Sequence, residues 1–391
     1  MGNRTTIMKK TTLLLSLLYC INATAQKENY LLIGTYTSGK SEGIYVYRFN
    51  SSTGDNSLVS TVKTSNPSFL AVAPNKKTVY AVNENADSTM HTVGGNISAF
   101  RFNNGKLTEI NKQPSGGKHP CFVEVDKTGQ WVFAGNYTSG TIGLLHTQKD
   151  GSLDTLKQVI QHSGSGPNTV RQNGPHVHST NLTANNKYLF VPDLGIDKVM
   201  QYNFNAKKGF LYPVAKQPYL QAAPGSGPRH ISFNPTGKYM YLMLELTGNV
   251  MVFKNYGGSN ISPIQTISAQ TANFTGTIGS ADIHVSPDGK FLYCSNRGDA
   301  NNIAIFSINQ ANGKLTLLGH QSTLGKTPRN FNFDPSGNFL LVANQNSDDI
   351  FIFKINKQTG LLTDTGKKIS VPNPVCIKWI PVTAANKPSL Q

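Results

Sequence analysis

The chain has 391 residues, of which 38% are hydrophobic and only 14% charged. It contains 36 Lys and Arg against 20 Asp and Glu, which gives a formal charge of +16 at pH 7. This composition excludes long disordered regions, and the length suits either two or three ordinary domains or one large all-β domain.

The N-terminal segment has the three parts of a secretory signal peptide. Basic residues at Arg4, Lys9 and Lys10 precede a short apolar run over 11–21, and the Ala-Thr-Ala of 23–25 forms a cleavage site. We therefore expect a leader over 1–25 and an exported domain over 26–391, periplasmic or secreted. Cys20 would suit a lipid anchor, but Tyr19 stands where such a signal has a small residue.

The rest of the chain offers no sign of a membrane or nucleic-acid partner. No later apolar run is long enough to span a bilayer, so we expect no stable membrane insertion. Lys and Arg are scattered, without zinc-finger spacing or a basic helix. These features indicate a basic soluble surface and no nucleic acid as partner.

Six segments of the chain share one pattern: a short alternating run, a polar turn and a second apolar run. They are residues 66–84, 119–137, 175–194, 228–245, 281–297 and 328–345. Their turns, such as NPTGK, SPDGK and DPSGN, have the composition of β-hairpin turns. A third apolar run follows each segment, and a fourth follows a turn containing Gly or Asn. The repeating unit is therefore four antiparallel strands.

The repeat recurs seven times at nearly regular intervals. The fifth residue of its second-strand motif falls at Thr35, Asn83, Asn136, Asp193, Leu244, Asn296 and Asn344. A period of roughly 50 residues is typical of propeller blades. The sequence therefore predicts an all-β fold, a seven-bladed β-propeller with four-stranded antiparallel blades. A two-domain sandwich does not explain seven regular copies.

The first copy, residues 30–64, lacks its first strand. The apolar run at 374–380, near the end of the chain, supplies a strand of the missing type. We therefore expect this C-terminal strand to complete the first blade and close the ring, which leaves no end blade with an unpaired radial face.

Two positions of the repeat should meet at one mouth of the central channel, because the first strand begins where the second strand ends. The first-strand position holds Ser68, Cys121, His178, Arg229, Ala281 and Arg329. The residue that ends the second strand is Tyr36, Glu84, Tyr137, Leu194, Glu245, Arg297 or Gln345. A purely structural position would keep one residue type, so this variety indicates function.

The resulting set has the chemistry of a catalytic site. We expect the catalytic residues to be His176, His178, Arg229, Glu245 and Arg297. We expect the substrate to contact Arg329, Asp193, Glu84 and Tyr137. Histidine serves as a general base near neutral pH, and arginines suit a carboxylate, a phosphate or a developing oxyanion. The alternative is a set of channel-wall side chains satisfied by water; His119, His230 and His284 are expected to be structural.

Cys121, Cys294 and Cys376 lie far apart in apolar strand-like runs. We expect three buried thiols, although one pair could bridge in an oxidising compartment. No cysteine has the spacing of a metal ligand.

These motifs resemble those of the seven-bladed propeller lactonase family, which includes bacterial 6-phosphogluconolactonase and the fungal carboxy-muconate lactonizing enzyme. The resemblance rests on the GPHVHST segment from Gly174, the segment 191–199, the SPDGKFLYCSNRG segment from Ser286 and, above all, the pair of Arg229 and Glu245. It implies a metal-free site with no cofactor, built from one His (His176 or His178), Arg229, Glu245 and Arg297.

Three functions follow as hypotheses. The first is hydrolysis of a sugar lactone, in a protein that we expect to be a monomer with a small-molecule lactone or anionic sugar as its ligand. The second is an exported, non-catalytic propeller that binds an anionic sugar or an envelope partner. The third is a metal-dependent lactonase with Glu84, Asp193 and Glu245 as oxygen ligands.

Overall fold

The computed structural model describes residues 28–382, apart from residues 87, 90, 91 and 256–259. The predicted leader over 1–25 lies outside the described residues. Within the described part, seven antiparallel sheets of four or five strands form the blades of a ring. The prediction of a seven-bladed propeller is confirmed.

The first three blades are built from strands in chain order. Blade one contains β1 (Glu28–Thr35), β2 (Gly43–Asn50) and β3 (Asn56–Lys63). Blade two contains β4 (Leu70–Val72) and β5 (Thr78–Asn83), then a hairpin of β6 (Ser88–Thr89) and β7 (Thr92–Val93), then β8 (Asn96–Asn103) and β9 (Lys106–Pro114). Blade three contains β10 (Pro120–Val125), β11 (Trp131–Asn136), β12 (Thr141–Thr147) and β13 (Leu153–Gln161).

The remaining blades repeat this order, and blade four has a divided outer edge. Blade four contains β14 (Asn181–Leu182), β15 (Tyr188–Asp193), a 3-10 turn (Leu194–Ile196), β16 (Lys198–Asn205), β17 (Phe210–Pro213) and β18 (Tyr219–Gln221). Blade five contains β19 (Pro228–Phe233), β20 (Tyr239–Leu244), β21 (Asn249–Asn255) and β22 (Ile261–Ser268). Blade six contains β23 (Ser280–Val285), β24 (Phe291–Asn296), β25 (Asn302–Ile308) and β26 (Leu315–Ser322). Blade seven contains β27 (Pro328–Phe333), β28 (Phe339–Asn344), a 3-10 turn (Gln345–Ser347), β29 (Asp349–Ile355) and β30 (Leu362–Ser370).

The last strand, β31 (Pro374–Pro381), closes the ring. It pairs with β1 in antiparallel register, with Ile33 opposite Ile377, so that blade one has the order β3-β2-β1-β31. The innermost strand of the first blade therefore comes from the other end of the chain, as the sequence predicts. Closure pairs an edge of β1 that would otherwise be open.

Burial along the strands follows from packing of blade against blade. The second strands β5, β11, β20, β24 and β28 are buried at every position, because both of their faces contact a neighbouring blade. The outer strand β13 instead alternates between buried or half-buried and exposed positions. The hydrophobic core thus lies between blades; for example, Phe291 and Tyr293 of blade six pack with Phe331 and Phe333 of blade seven.

The Asp-containing turns are structural. The Asp126 carboxylate accepts hydrogen bonds from the backbone N–H groups of Gln130 and Trp131 at 2.8 and 2.9 Å. Asp334 does the same for Asn338 and Phe339 in blade seven. The carboxylate accepts hydrogen bonds from backbone N–H groups that have no backbone partner in a tight turn.

The three cysteines that the structure describes are free thiols, and all are buried. Among the described residues, no helix has both the length and the apolar character needed to cross a bilayer.

A buried carboxylate ties several blades together near the ring axis. Asp282 of blade six accepts hydrogen bonds from His230 of blade five at 2.8 Å and from Asn330 of blade seven. It also contacts His284 at 2.9 Å, and the Asn330 side-chain oxygen accepts from the Ile377 N–H in β31 at 2.8 Å. Burial opposes the charge, but His284 and His230 outweigh it and hold the pKa of Asp282 well below its ordinary value.

We predict that replacing Asp282 destabilises the ring. Asp282→Ala leaves two histidines and an asparagine without their shared acceptor, and a buried donor left without a partner costs about 1–3 kcal/mol. Urea unfolding measures the loss. The control Glu109→Ala, at an exposed position of β9, should change stability by about 0.5 kcal/mol or less. Equal effects of the two substitutions would contradict the role of Asp282.

Candidate active site

A cavity of about 500 Å³ opens at one mouth of the central channel. Its wall includes the side chains of Tyr36, Glu84, Cys121, Tyr137, Arg171, His178, Glu245, Arg297 and Arg329. Each of the seven blades contributes at least one of these side chains. The convergence of the two repeat positions at one mouth is therefore seen in the structure.

One of these positions is the residue that the repeat pattern places at the end of the second strand. In the structure these strands end one residue earlier, and the expected end residue lines the cavity as Tyr36, Glu84, Tyr137, Glu245 and Arg297. Leu194 and Gln345, at the same position in blades four and seven, are not among the lining residues. The repeat thus predicts most of the wall.

Of the residues at the other position, Cys121, His178 and Arg329 line the cavity, whereas Ser68, Arg229 and Ala281 do not. In blade three the pairing register shifts between Pro120 and Phe122, and in blade seven between Pro328 and Asn330, so Cys121 and Arg329 are left out of the ladder. A bulge turns a side chain out of the regular pleat. Arg229 and Ala281 lie at similar register shifts, so a bulge alone does not bring a residue to the cavity wall.

Glu245 is the centre of the site's charge. Its carboxylate lies 2.6 Å from Arg171 Nη2, 2.9 Å from Arg229 Nε and 3.2 Å from Arg297 Nη2. Burial opposes ionisation, but the charges of Arg297, Arg229 and Arg171 outweigh it and lower the pKa of Glu245 to about 2. The carboxylate is therefore ionised at neutral pH.

Two of these arginines have different positions relative to the cavity. Arg229 is buried behind Glu245, donates to the Ala281 carbonyl at 2.6 Å and is not part of the cavity wall. Arg297 lines the cavity and is held by the Gly279 carbonyl at 2.8 Å. Gly298 follows with φ of 66°, and a Cβ there would lie 2.1 Å from the Thr277 oxygen, so the turn that places Arg297 requires glycine.

His178 is the histidine on the cavity wall. Its Nε2 lies 3.7 Å from Glu245 Oε2, and its Nδ1 lies 3.8 Å from the Cys121 sulfur. Burial lowers the pKa of His178 well below its ordinary value, and the Arg229 charge lowers it further. The imidazole is therefore neutral at physiological pH.

His176 lies beside the cavity rather than on its wall. Its ring stacks on Tyr137, with centroids 4.4 Å apart, and its Nδ1 lies 3.0 Å from the Tyr137 carbonyl oxygen. His178 also touches Tyr137, edge to face at 5.4 Å. Both histidines thus contact the same tyrosine, but they differ in access to the cavity.

A second group of polar residues faces Glu245 across the cavity. The Glu84 carboxylate accepts hydrogen bonds from the Tyr36 hydroxyl at 2.9 Å and from Ser68. The Arg329 guanidinium lies 5.3 Å from the centre of the Tyr36 ring. Within the described part of the chain, Arg329 forms no direct hydrogen bond or ion pair, so its donors are available to a ligand.

Asp193 does not line the cavity. Its carboxylate is fully buried, lies 2.6 Å from His162 Nδ1 and accepts from the N–H groups of His176 and Gly195 at 2.7 and 3.0 Å. It caps the 3-10 turn and anchors the segment that carries both candidate histidines. The structure therefore places Asp193 behind the site, in a supporting position, and not where a substrate would touch it.

Arg171 is the site residue that the repeat pattern does not reveal. It lies in the connection between β13 and β14, outside any blade strand. The sequence gives only an indirect sign of this residue. The interval from Asn136 to Asp193 is the longest between consecutive marked residues of the repeat, which indicates an insertion there.

The carboxylates proposed as metal ligands are not gathered at one point. Glu84 and Glu245 line the cavity, whereas Asp193 lies outside it. Within the described residues, no cluster of three or more His, Cys, Asp or Glu side chains has an arrangement suited to a metal ion.

Comparison with known proteins identifies the family. A sequence model of the seven-bladed β-propeller lactonases matches residues 30–379. The chain belongs to this family of lactonases.

Individual relatives match over nearly their whole length. The 6-phosphogluconolactonase of Formosa agariphila is 39% identical over 346 residues, which cover 87% of this chain and 96% of the relative. The 6-phosphogluconolactonase of Bacillus subtilis is 38% identical over 354 residues, 89% of this chain and 97% of the relative. The solved structure of a periplasmic gluconolactonase from Pseudomonas aeruginosa has a TM-score of 0.86 and 36% identity, and covers 91% of this chain and all of that chain.

We predict that the charge on Glu245 contributes to stability in a pH-dependent way. Its pKa falls from 4.5 to about 2 on folding, which corresponds to about 3 kcal/mol. Because the folded pKa is depressed, this stabilisation is complete above about pH 5 and is lost as the pH falls towards 2.

The measurement is urea unfolding of wild type and Glu245→Gln between about pH 7 and pH 3. The variant should be less stable at neutral pH, and the difference should shrink as the pH falls. Glu109→Gln, at an exposed position of β9, serves as the control. A difference that does not change with pH would refute the assignment.

Proposed function

We propose that the protein hydrolyses a sugar lactone with no metal ion, using His178 as the general base. The observation that carries this proposal is the neutral, buried His178 on the cavity wall, beside the ionised Glu245 and near Arg297. The names of the relatives, 6-phosphogluconolactonase and gluconolactonase, support a sugar lactone as substrate.

The reaction begins with attack of water on the lactone carbonyl carbon. A ring nitrogen of His178 takes one proton from the water as the new C–O bond forms. The carbonyl oxygen becomes an oxyanion, and Arg297, whose guanidinium faces the cavity, stabilises it. The tetrahedral intermediate then collapses, the ring C–O bond breaks, and the His178 imidazolium returns the proton to the leaving oxygen. The product is the open-chain hydroxy acid.

Glu245 and Arg229 support this step from behind. The Glu245 carboxylate, 3.7 Å from His178 Nε2, stabilises the imidazolium that forms when His178 takes the proton. Arg229, buried and bonded to both Glu245 and the Ala281 carbonyl, fixes the carboxylate in place. Arg229 is therefore a positioning residue, and Arg297 is the arginine that contacts the reacting oxygen.

The opposite wall binds the rest of the substrate. Glu84 accepts hydrogen bonds from sugar hydroxyl groups, and Tyr137 offers an aromatic edge beside His178. Arg329, with its free donors, suits an oxygen-rich or acidic substituent. We further propose that the protein acts as a monomer outside the cytoplasm. The N-terminal sequence pattern supports export, and the Pseudomonas aeruginosa relative is described as periplasmic.

We predict that His178→Gln lowers kcat/KM by about 10²- to 10⁴-fold, because the variant loses the general base. His176→Gln is the matched control, because His176 contacts the same tyrosine as His178. This substitution should lower kcat/KM by less than about tenfold, since His176 takes no proton in the reaction. Lactone hydrolysis is followed by acid release, with the spontaneous rate subtracted. Equal losses in the two variants would reject His178 as the base.

We predict that a chelator leaves the reaction unchanged. The purified protein is incubated with EDTA, dialysed, and assayed on D-glucono-1,5-lactone and on its 6-phosphate. Because histidine and arginine supply the base and the oxyanion stabilisation, kcat/KM should change less than about twofold. Loss of activity that returns with a divalent metal would favour the metal-dependent alternative.

A further inference from the structure

The three arginines around Glu245 are not held equally. Arg229 and Arg297 each donate to a backbone carbonyl as well as to Glu245, and their side chains are 2% and 14% exposed. The Arg171 side chain is 41% exposed. Its contacts are Glu245 and, at 3.3 Å, the Tyr137 hydroxyl. Arg171 is therefore the arginine that can most easily change its partner.

The backbone beside Arg171 is fixed although its side chain is accessible. The neighbouring Gln172 donates from its N–H to the Asn168 carbonyl at 2.7 Å, and its side chain donates to the Leu194 carbonyl at 2.8 Å. Its carbonyl accepts from the Gly166 N–H at 3.0 Å. A change of partner for Arg171 therefore needs only rotation about side-chain bonds and leaves the connection in place.

The other charges at Glu245 keep the free-energy cost of moving Arg171 low. If Arg171 turned away, the carboxylate would keep Arg229 at 2.9 Å and Arg297 at 3.2 Å. It would not become an unpaired buried charge, which is what makes the loss of a single partner costly. The remaining guanidiniums would also be relieved of one like charge.

Arg329 is a further cation on the cavity wall, besides Arg171 and Arg297. It lies near Tyr36 and has no direct ionic partner among the described residues. An acidic group that enters the cavity would thus meet a wall that carries Arg329 and the half-exposed Arg171. Guanidinium groups of this kind suit a carboxylate or a phosphate.

We propose that Arg171 is a specificity-determining residue that pairs with Glu245 in the free protein and turns to an acidic substituent of the bound lactone. This inference rests on the proposed lactone hydrolysis. The substituent is a carboxylate or a phosphate, and lactones without one are poorer substrates.

The test compares three lactones in three variants. The neutral probe is D-glucono-1,5-lactone, the phosphate probe is its 6-phosphate, and the carboxylate probe is D-glucaro-1,4-lactone. Arg171→Gln removes the positive charge, whereas Arg171→Lys keeps the charge but lacks the planar guanidinium group. Val170→Ala is the control, because it changes the neighbouring residue, whose side chain is exposed.

In Arg171→Gln we expect kcat/KM for the preferred acidic lactone to fall about 10- to 100-fold, mainly through KM, as for loss of a charged hydrogen bond. The value for the neutral lactone should change less than about threefold. Arg171→Lys should restore part of the preference, and Val170→Ala should resemble wild type. The ratio between acidic and neutral lactones is the decisive readout, because a merely structural defect lowers both values together.

A binding experiment separates this inference from the proposed function. Calorimetry measures 6-phosphogluconate and gluconate on wild type and Arg171→Gln. Absence of lactone turnover in wild type would refute the proposed function, whereas weaker binding of the acidic ligand to Arg171→Gln would still support the role of Arg171. Wild-type turnover without preference for an acidic lactone, or an unchanged preference in Arg171→Gln, would overturn the inference and leave the hydrolysis standing.

Discussion

Pairing of β31 with β1 is the constraint on which the rest of the molecule depends. It joins the first and the last strand of the described chain, with Ile33 opposite Ile377, and so fixes the relative rotation of all seven blades. Without closure each blade would still be a sheet, but the residues after the second strands would not be held around one opening. The Asp282 network reinforces the same constraint near the axis, because it connects blades five, six and seven with β31. The site is therefore a property of the whole ring.

A single buried carboxylate organises the chemistry within that ring. Glu245 would be unstable as a buried charge, and the surrounding guanidiniums outweigh the cost of its burial. Burial is the main cause that keeps His178 neutral, and the charge of Arg229, one of the three arginines around Glu245, adds to it. An ionised carboxylate and an unprotonated imidazole thus lie side by side at neutral pH. Arg229 contributes to both ionisation states.

The fold and much of the site could be predicted from the sequence, because each depends on the repeat. The marked residues, from Thr35 to Asn344, end the second strands in the structure, and closure by the last strand follows from counting strands. Arg171 could not be found in this way, since it lies in an insertion that the period does not describe. The prediction that Asp193 contacts the substrate differs from the structure for another reason. An acidic residue at the end of a strand can cap the next turn instead of facing the cavity, as Asp193 does. Periodicity also could not decide whether His176 or His178 lines the cavity. The two residues are two positions apart, so they lie on the same side of an extended chain, and only His178 reaches the cavity wall.

The bulges at the start of the inner strands have a consequence for how such a site diversifies. Cys121 and Arg329 are displaced from the hydrogen-bonded ladder, so their side chains are less bound by the packing rules of a pleated sheet. Exchange of either residue alters the cavity while the blades keep their pairing. An ancestral propeller could therefore acquire new ligands through point mutations at these irregular positions. For laboratory evolution of altered selectivity, the codons of Cys121 and Arg329 form a small, well-defined set to randomise.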